Sequence, residues 1–429
     1  RTINFATNAE VTNLATYAAL VGRDLAGAAT VDVGGVILGD STRFSMDIAA
    51  QTSDLTVGIM QLDPLLRGDG TLRAAIARTS ADRFRLSDFD LRTDAATLTA
   101  DAIGGMSGDA SAKLNASIND ASVLDQGLTG PVTAAFSATR DESNQAQVTL
   151  RLAGPGADVN MRAGISPDYL IDGILNADVA NLAPYRTLIG QPISGGLSAR
   201  LAGSMMVDLS AFDASLEMKT SDISIGNSTV DILLAGNGQL AAQAQFKNGE
   251  LVVNDLALST ANVTASGNLG GQSGSGRGTF TARLRDVGVS TDQLSGPITA
   301  NGTASLDGAG NWGIDAQADG PGGIAVRAGG QVGANGTVNL TATGEAPLGL
   351  ANTLLEPRRI SGDAVFDLAI NGQPSLNALS GRLDLRDARL TAPTLAQGLS
   401  NIAGGVTLSN GTAQIGITGN VASGGSLAV

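Results

Sequence analysis

The sequence predicts an all-β chain: an elongated antiparallel sheet in which a short helix punctuates each repeat. Three observations carry this. The text repeats at a long period, apolar and polar residues alternate with a period of two, and turn pairs such as Asn-Gly and Asp-Gly stand among the alternating runs.

The repeat comes first because it organises the rest. NLATYAALVG, Asn13 to Gly22, returns 168 residues later as NLAPYRTLIG, Asn181 to Gly190; TSDLTVG at Thr52 returns as TSDISIG at Thr220, and LLRGDGTL at Leu65 as LLAGNGQL at Leu233. A third, incomplete copy begins near Gly344. The expected organisation is the tail of a preceding repeat at 1–8, a first β-groove repeat at 9–176, a second at 177–343 and a partial third at 344–429. Tandem copies extend in one direction, each unit leaning on its neighbours instead of closing its own core. Both ends fall inside repeat-like text, so the chain is expected to be a slice of a longer polypeptide.

Taken in order, the first element is a short helix, with Leu14, Tyr17, Leu20 and Val21 at helical spacing before Gly22. Phe44, Met46 and Ile48 then alternate with Arg43, Ser45 and Asp47, and Val148, Leu150 and Leu152 with Gln147, Thr149 and Arg151. Each run reads as a strand with one dry and one wet face. The second helix has Leu182, Tyr185, Leu188 and Ile189, closed by Gly190 and Pro192. The glycine-rich stretch from Gly270 to Gly278 reads as a flexible excursion. Strands follow at Phe280, Ala282 and Leu284, then at Val338, Leu340 and Ala342. A third helix is expected at Leu350, Leu354 and Leu355, ahead of Pro357, and a strand at Phe366, Leu368 and Ile370. Asp69-Gly70, Asn237-Gly238, Asn248-Gly249, Asn371-Gly372 and Asn410-Gly411 read as hairpin turns. At very roughly 15 residues per strand and turn, with strands about 4.8 Å apart, a rod or trough on the order of 100 Å is expected.

Composition narrows the chemistry. A net charge of −14 without clustered Lys and Arg argues against nucleic acid as a partner. Cysteine and histidine are both absent, which removes thiolate nucleophiles, the commonest general base and the commonest transition-metal ligand. No run approaches the ~20 apolar residues of a membrane-spanning helix. Of the carboxylates, Asp88 with Asp90 and Asp384 with Asp387 come nearest to an acid–base pair, and the simpler reading is solvated strand faces and turn caps. Gly308 to Asp315 is weakly similar to a calcium-binding nonapeptide but does not recur at nine-residue spacing. No catalytic residue, metal ligand or cofactor site is identified, and no enzymatic activity is expected.

What remains is collective. Row after row of aliphatic side chains on one sheet face must be covered by something. Self-packing, a second protein and acyl chains are all open, and pattern alone favours self-packing.

The final stretch, Leu348 to Ile415, shifts that balance. It has a short Leu-rich helix, then ISGDAVFDLAING from Ile360, then LSGRLDLRDARL from Leu379, then LSNIAGGVTLSNG from Leu399. In this order and spacing the phrases resemble TamB, an envelope protein of the AsmA-like superfamily, and the internal repeat extends the likeness along the chain. The resemblance implies a curled, taco-like sheet, a repeating β-groove with an aliphatic interior. It also implies a place in the periplasm of a Gram-negative bacterium, anchored to the inner membrane by a segment outside this chain. It implies contact, through regions outside this segment, with an outer-membrane barrel of the Omp85 class. Phospholipid transport between the membranes and support of outer-membrane protein assembly are the associated functions.

On that reading the ligands are phospholipid acyl chains. The groove-lining candidates are Phe44, Met46, Ile48, Val148, Leu150, Leu152, Ile193, Leu197, Leu216, Met218, Ile223, Ile225, Phe280, Leu284, Val338, Leu340, Phe366, Leu368, Ile370, Leu383, Leu385, Val406 and Leu408. An aliphatic wall without aromatic cages favours passage over storage, at roughly 25 cal/mol per Å² covered. The alternative is a structural β-solenoid stalk of a secreted adhesin. The long period speaks against it, because solenoid coils repeat at about 20 to 30 residues. A polysaccharide-cleaving β-helix enzyme is a third possibility and lacks a credible catalytic pair.

Overall fold

The computed structural model describes residues 2–39, 42–105, 107–272, 274–286, 295–352, 357–373, 375–391, 398–409, 411–421 and 424–429. They form two compact units, Arg1–Asn227 and Ser228–Val429. The first holds strands β1 Thr2–Val11, β2 Ala26–Leu38, β3 Phe44–Thr56, β4 Asp69–Ser80, β5 Arg83–Thr93, β6 Ala96–Gly105 and β7 Ala110–Ile118. It continues with β8 Val132–Arg140, β9 Ala146–Gly154, β10 Ala157–Ile165, β11 Leu170–Val179, β12 Ser194–Met206 and β13 Ala211–Ser224. The second unit holds β14 Asn237–Lys247, β15 Glu250–Ser259, β16 Val263–Gln272, β17 Gly276–Leu284, β18 Ile298–Leu306, β19 Trp312–Asp319 and β20 Ala325–Val332. Its remaining strands are β21 Val338–Pro347, β22 Arg359–Gly372, β23 Leu379–Thr391, β24 Leu399–Ser409, β25 Thr412–Val421 and β26 Ser426–Ala428.

The fold class is the one expected, all-β and antiparallel, and the sheet is not closed. Within each unit every strand pairs antiparallel with its neighbour in sequence, from β1 with β2 to β12 with β13, and from β14 with β15 to β25 with β26. Such a meander needs only local connections, and it is unlike the stacked coils of a β-solenoid. It also sorts the connections onto two edges. In the first unit the segments 12–25, 57–68, 119–131 and 180–193 lie on one edge with the two-residue links 94–95 and 155–156, and the links 81–82, 141–145, 166–169 and 207–210 lie on the other. We call these the loop edge and the hairpin edge.

The sequence repeat is visible strand by strand, since β2 to β11 belong to the first copy and β12 to β21 to the second. The repeat boundaries at 176/177 and 343/344 fall inside β11 and β21. Pairing therefore runs straight through the repeat boundary in the first unit, from Val179 to Leu197.

A bulge recurs with the repeat. Asp54 in β3 has φ +49° and faces Gly27 in β2; Asp222 in β13 has φ +50° and faces Gly195 in β12; Asp387 in β23 has φ +49° and faces Gly362 in β22. Asp88, Asp255 and Asn401 occupy the same left-handed conformation at further register shifts. Asp and Asn tolerate this conformation, and each bulge bends its strand and raises the local twist. The facing glycine is obligatory on steric grounds: a Cβ on Gly27 would lie 2.5 Å from the carbonyl oxygens of both Ser53 and Asp54.

The helices are shorter than the spacing suggests. Leu14–Tyr17 is a 3-10 turn running into α1, Ala18–Val21, and Ala183–Tyr185 runs into α2, Arg186–Ile189; Gly22 and Gly190 end them in the left-handed conformation. α3, Ser228–Leu234, was not anticipated. In the third copy Leu348–Ala351 forms a 3-10 turn, and the expected positions Leu354 and Leu355 lie outside the described residues.

Two turn expectations are corrected. Gly270 to Gly278 is no excursion: Gly270 and Gly271 belong to β16, Gly276 and Gly278 to β17, and Ser275 donates its amide to Gln272 O at 2.9 Å. Of the Asx-Gly pairs, Asn248-Gly249 makes a two-residue hairpin with φ +54° and +77°. Asp69-Gly70 and Asn237-Gly238 open β4 and β14, and Asn371-Gly372 ends β22. A Cβ at Gly70 would meet Thr52 Oγ1, a contact that a turn of the Thr52 side chain relieves. Asn410 lies outside the described residues.

Candidate functional site

Strand register decides whether the predicted wall exists as a surface. In the first unit, Leu114, Phe136, Leu150, Met161, Leu175, Leu201 and Leu216 lie opposite one another in sequence from β7 to β13. Phe44, Met46, Ile48, Val148, Leu152, Leu197 and Met218 stand on the same face in flanking rows. In the second unit, Ala282, Ala300, Ala318, Val326, Gly344, Phe366, Leu383, Val406 and Ile415 align from β17 to β25. Phe280, Leu284, Val338, Leu340, Leu368, Ile370, Leu385 and Leu408 share that face. Each unit thus gathers its candidates on one continuous apolar face. Ile193 precedes β12, Ile225 follows β13, and Ile223 comes after the Asp222 bulge, so these three lie at the loop edge outside the regular rows.

The apolar face is the less exposed of the two: Ala50, Ala134 and Ala242 on it are half-buried, whereas their neighbours Ala49, Ala135 and Ala241 are exposed. It is not uniformly covered, since Leu201 is 44% and Ile415 54% exposed. No large side chain among the described residues is fully buried, and the candidates are half-buried, except Leu152 at 39% exposure and Ile225 at 40%. The small core of the second unit, Leu348, Ala364, Ala388 and Ile402, sits beside the bulge at Asp387. Self-packing covers part of the face there, since Leu383 and Leu385 pack against this core, and no second sheet lies over the rest among the described residues.

Some aromatic rings are laid down instead of projecting. A Cβ on Gly35 would lie 2.9 Å from the Phe5 ring, and one on Gly302 would lie 2.7 Å from the Phe280 ring. These rings therefore cover neighbouring backbone, as aromatic residues do over strand glycines.

The opposite face is polar and internally paired. Arg83 Nη2 donates to Asp109 at 2.7 Å, and the pairs Arg92–Asp90 and Arg382–Asp384 close at 2.8 and 2.7 Å. The carboxyls of Asp109, Asp90 and Asp384 are held below the ordinary aspartate range, first by the arginine hydrogen bond in each case. Asp90 and Asp384 are thus engaged as ion pairs, while Asp88 and Asp387 sit at bulges. Asp307, in the turn once compared with a calcium loop, accepts from Asn311 and Ala309 at 2.9 Å, and no His/Cys/Asp/Glu group among the described residues could hold a metal.

Two features were not foreseen. Hollows of about 400 Å³ open on the polar side of β2 to β5, lined by Asp32, Gln51, Arg73, Asp90 and Arg92 in one and by Asp47 and Asp88 in another. The bulges at Asp54 and Asp88 fall in these strands. Second, α1 and α2 present their apolar residues to solvent: Leu20 is 83% exposed and Leu188 65%. The bulges had a sequence signal, a polar-Asx-apolar step that interrupts alternation at Ser53-Asp54-Leu55 and Ser221-Asp222-Ile223.

Comparison with protein-family models, with curated proteins and with solved structures finds no match to this chain.

Proposed function

We propose that the apolar face of each unit shields the acyl chains of phospholipids on their passage between two membranes. The observation that carries this is a face that is apolar from strand to strand, less exposed than the face opposite, and covered by no second sheet among the described residues, with one small packed core at Leu348, Ala364, Ala388 and Ile402. Covering about 300 Å² of such surface is worth about 7 kcal/mol at 25 cal/mol per Å², enough to hold a hydrocarbon tail without a pocket. Because adjacent rows are chemically alike, a tail meets a similar environment at each strand, which suits sliding more than storage.

The resemblance of Leu348 to Ile415 to TamB supports the same reading. On it the chain is a middle segment of a periplasmic bridge, anchored at the inner membrane and meeting an Omp85-class barrel elsewhere. A plain architectural spacer is the competing reading.

Two measurements separate them. Mass spectrometry of the purified chain should find co-purified phospholipid. Leu368→Glu or Leu150→Glu, both on the half-buried wall away from the packed core, should in the full-length protein block lipid transfer while circular dichroism stays unchanged. Transfer at the wild-type rate in both folded variants would overturn the proposal.

A further inference from the structure

Across the described strands the apolar face carries two charged residues, Arg78 in β4 and Arg140 in β8. Register places Arg78 between Phe44 and Phe84, and Arg140 between Ala110 and Ala146. Both are arginine, both stand where their strands reach the hairpin edge, and the chain around them is acidic, with a net charge of −14.

Neither closes an ion pair with a carboxylate among the described residues, although Asp109 lies near enough to Arg140 to feel its charge. Arg78 donates Nη2 to Ala81 O and lies 5.6 Å from the Phe84 ring centroid, and its buried Nε has no hydrogen-bond partner. Arg140 donates Nε to Gly108 O at 2.9 Å and Nη2 to Gly105 O at 2.8 Å. The nearby carboxylate, Asp109, gives both oxygens to Arg83. Each guanidinium is therefore fixed through its backbone contacts while Nη1 keeps its N–H groups for an acceptor.

We propose that Arg78 and Arg140 receive the phosphate of lipids whose tails lie on the apolar face, so that head groups emerge at the hairpin edge. This rests on the acyl-chain reading above and adds the head-group class and the orientation. Guanidinium and phosphate form charge-assisted, often bidentate hydrogen bonds. Four segments of a dozen or so residues stand at the loop edge, whereas the described links at the hairpin edge beside β4 and β8, 81–82 and 141–145, are short and leave room for a head group. β4 and β8 are four strand steps apart, about 19 Å along the sheet at 4.8 Å each, so the two arginines serve two head groups, not one.

The test compares two fluorescent lipids with identical tails, phosphatidic acid and diacylglycerol, titrated into the purified chain. Phosphatidic acid should bind about tenfold more tightly, and Arg78→Gln with Arg140→Gln should remove that preference while leaving diacylglycerol binding unchanged. Equal binding in the wild type, or a preference that survives in the variant, overturns the head-group assignment alone. If neither lipid binds, the acyl-chain reading fails with it. Displacement of phosphatidic acid by excess inorganic phosphate would assign the arginines to free anion and also overturn the proposal. Should the Arg140 change unfold the hairpin edge, Arg78→Gln alone, which removes a single backbone donation, should still reduce the preference severalfold.

Discussion

Gly27 offers the sharpest test of how the bulges are built. Its φ of +95° is one an alanine adopts only at a cost of about 1 to 2 kcal/mol. Its absent Cβ would stand 2.5 Å from two carbonyl oxygens of the Asp54 bulge, where carbon–oxygen contacts normally settle near 3.3 to 3.6 Å. The backbones must separate by about 1 Å, with an overpacking cost of about 1 to 3 kcal/mol. Gly27→Ala should therefore cost about 2 to 5 kcal/mol. Gly22→Ala is the internal control, since Gly22 has φ +69° with nothing within 4 Å of its would-be Cβ, so only the backbone strain of about 1 to 2 kcal/mol applies. Urea midpoints by circular dichroism would rank the two variants. Hydrogen exchange would localise the damage, because Asp54 N donates to Gly68 O at 2.9 Å and should lose protection in Gly27→Ala alone. Equal midpoints and equal protection would refute the argument that bulge and glycine form one steric unit.

Three further outcomes follow from burial and charge. Ile402→Ala, at a position 3% exposed, should cost about 2 to 4 kcal/mol, whereas Leu150→Ala on the half-buried wall should cost about 1, a contrast readable from thermal midpoints. Leu20→Gln, at 83% exposure, should change stability by less than about 0.5 kcal/mol, since nothing packs on it and both residues suit a helix. Stability should be constant above the ordinary aspartate value of about 3.9 and fall as pH drops through the lower folded values of Asp109, Asp120 and Asp307, with a shallower acid slope in Asp109→Asn. The sign follows because the folded state holds these carboxylates ionised, through Arg83, through the Gly130 and Ser122 amides, and through Asn311 respectively.

Much of the fold was legible because strand alternation is a local property with a fixed period. Phe44-Met46-Ile48 and Phe366-Leu368-Ile370 announce their face from sequence, and the meander then brings successive faces together without any long-range choice. Turn chemistry was less legible. Asn248-Gly249 closes a hairpin and Asp69-Gly70 opens a strand, although the dipeptides are similar, because Gly70 is paired between Thr52 and Thr93 on the two neighbouring strands.

The all-β class, the 168-residue period and most of the apolar face are written in spacing along the chain, although Ile193, Ile223 and Ile225 fall off the rows. Three other things needed the folded chain: that ten strands fill one period, that bulges at Asp54, Asp222 and Asp387 lock against glycines on adjacent strands, and that Arg78 and Arg140 share one edge. The last two depend on which strand lies beside which and in what register, a relation between residues distant in sequence that no local pattern encodes.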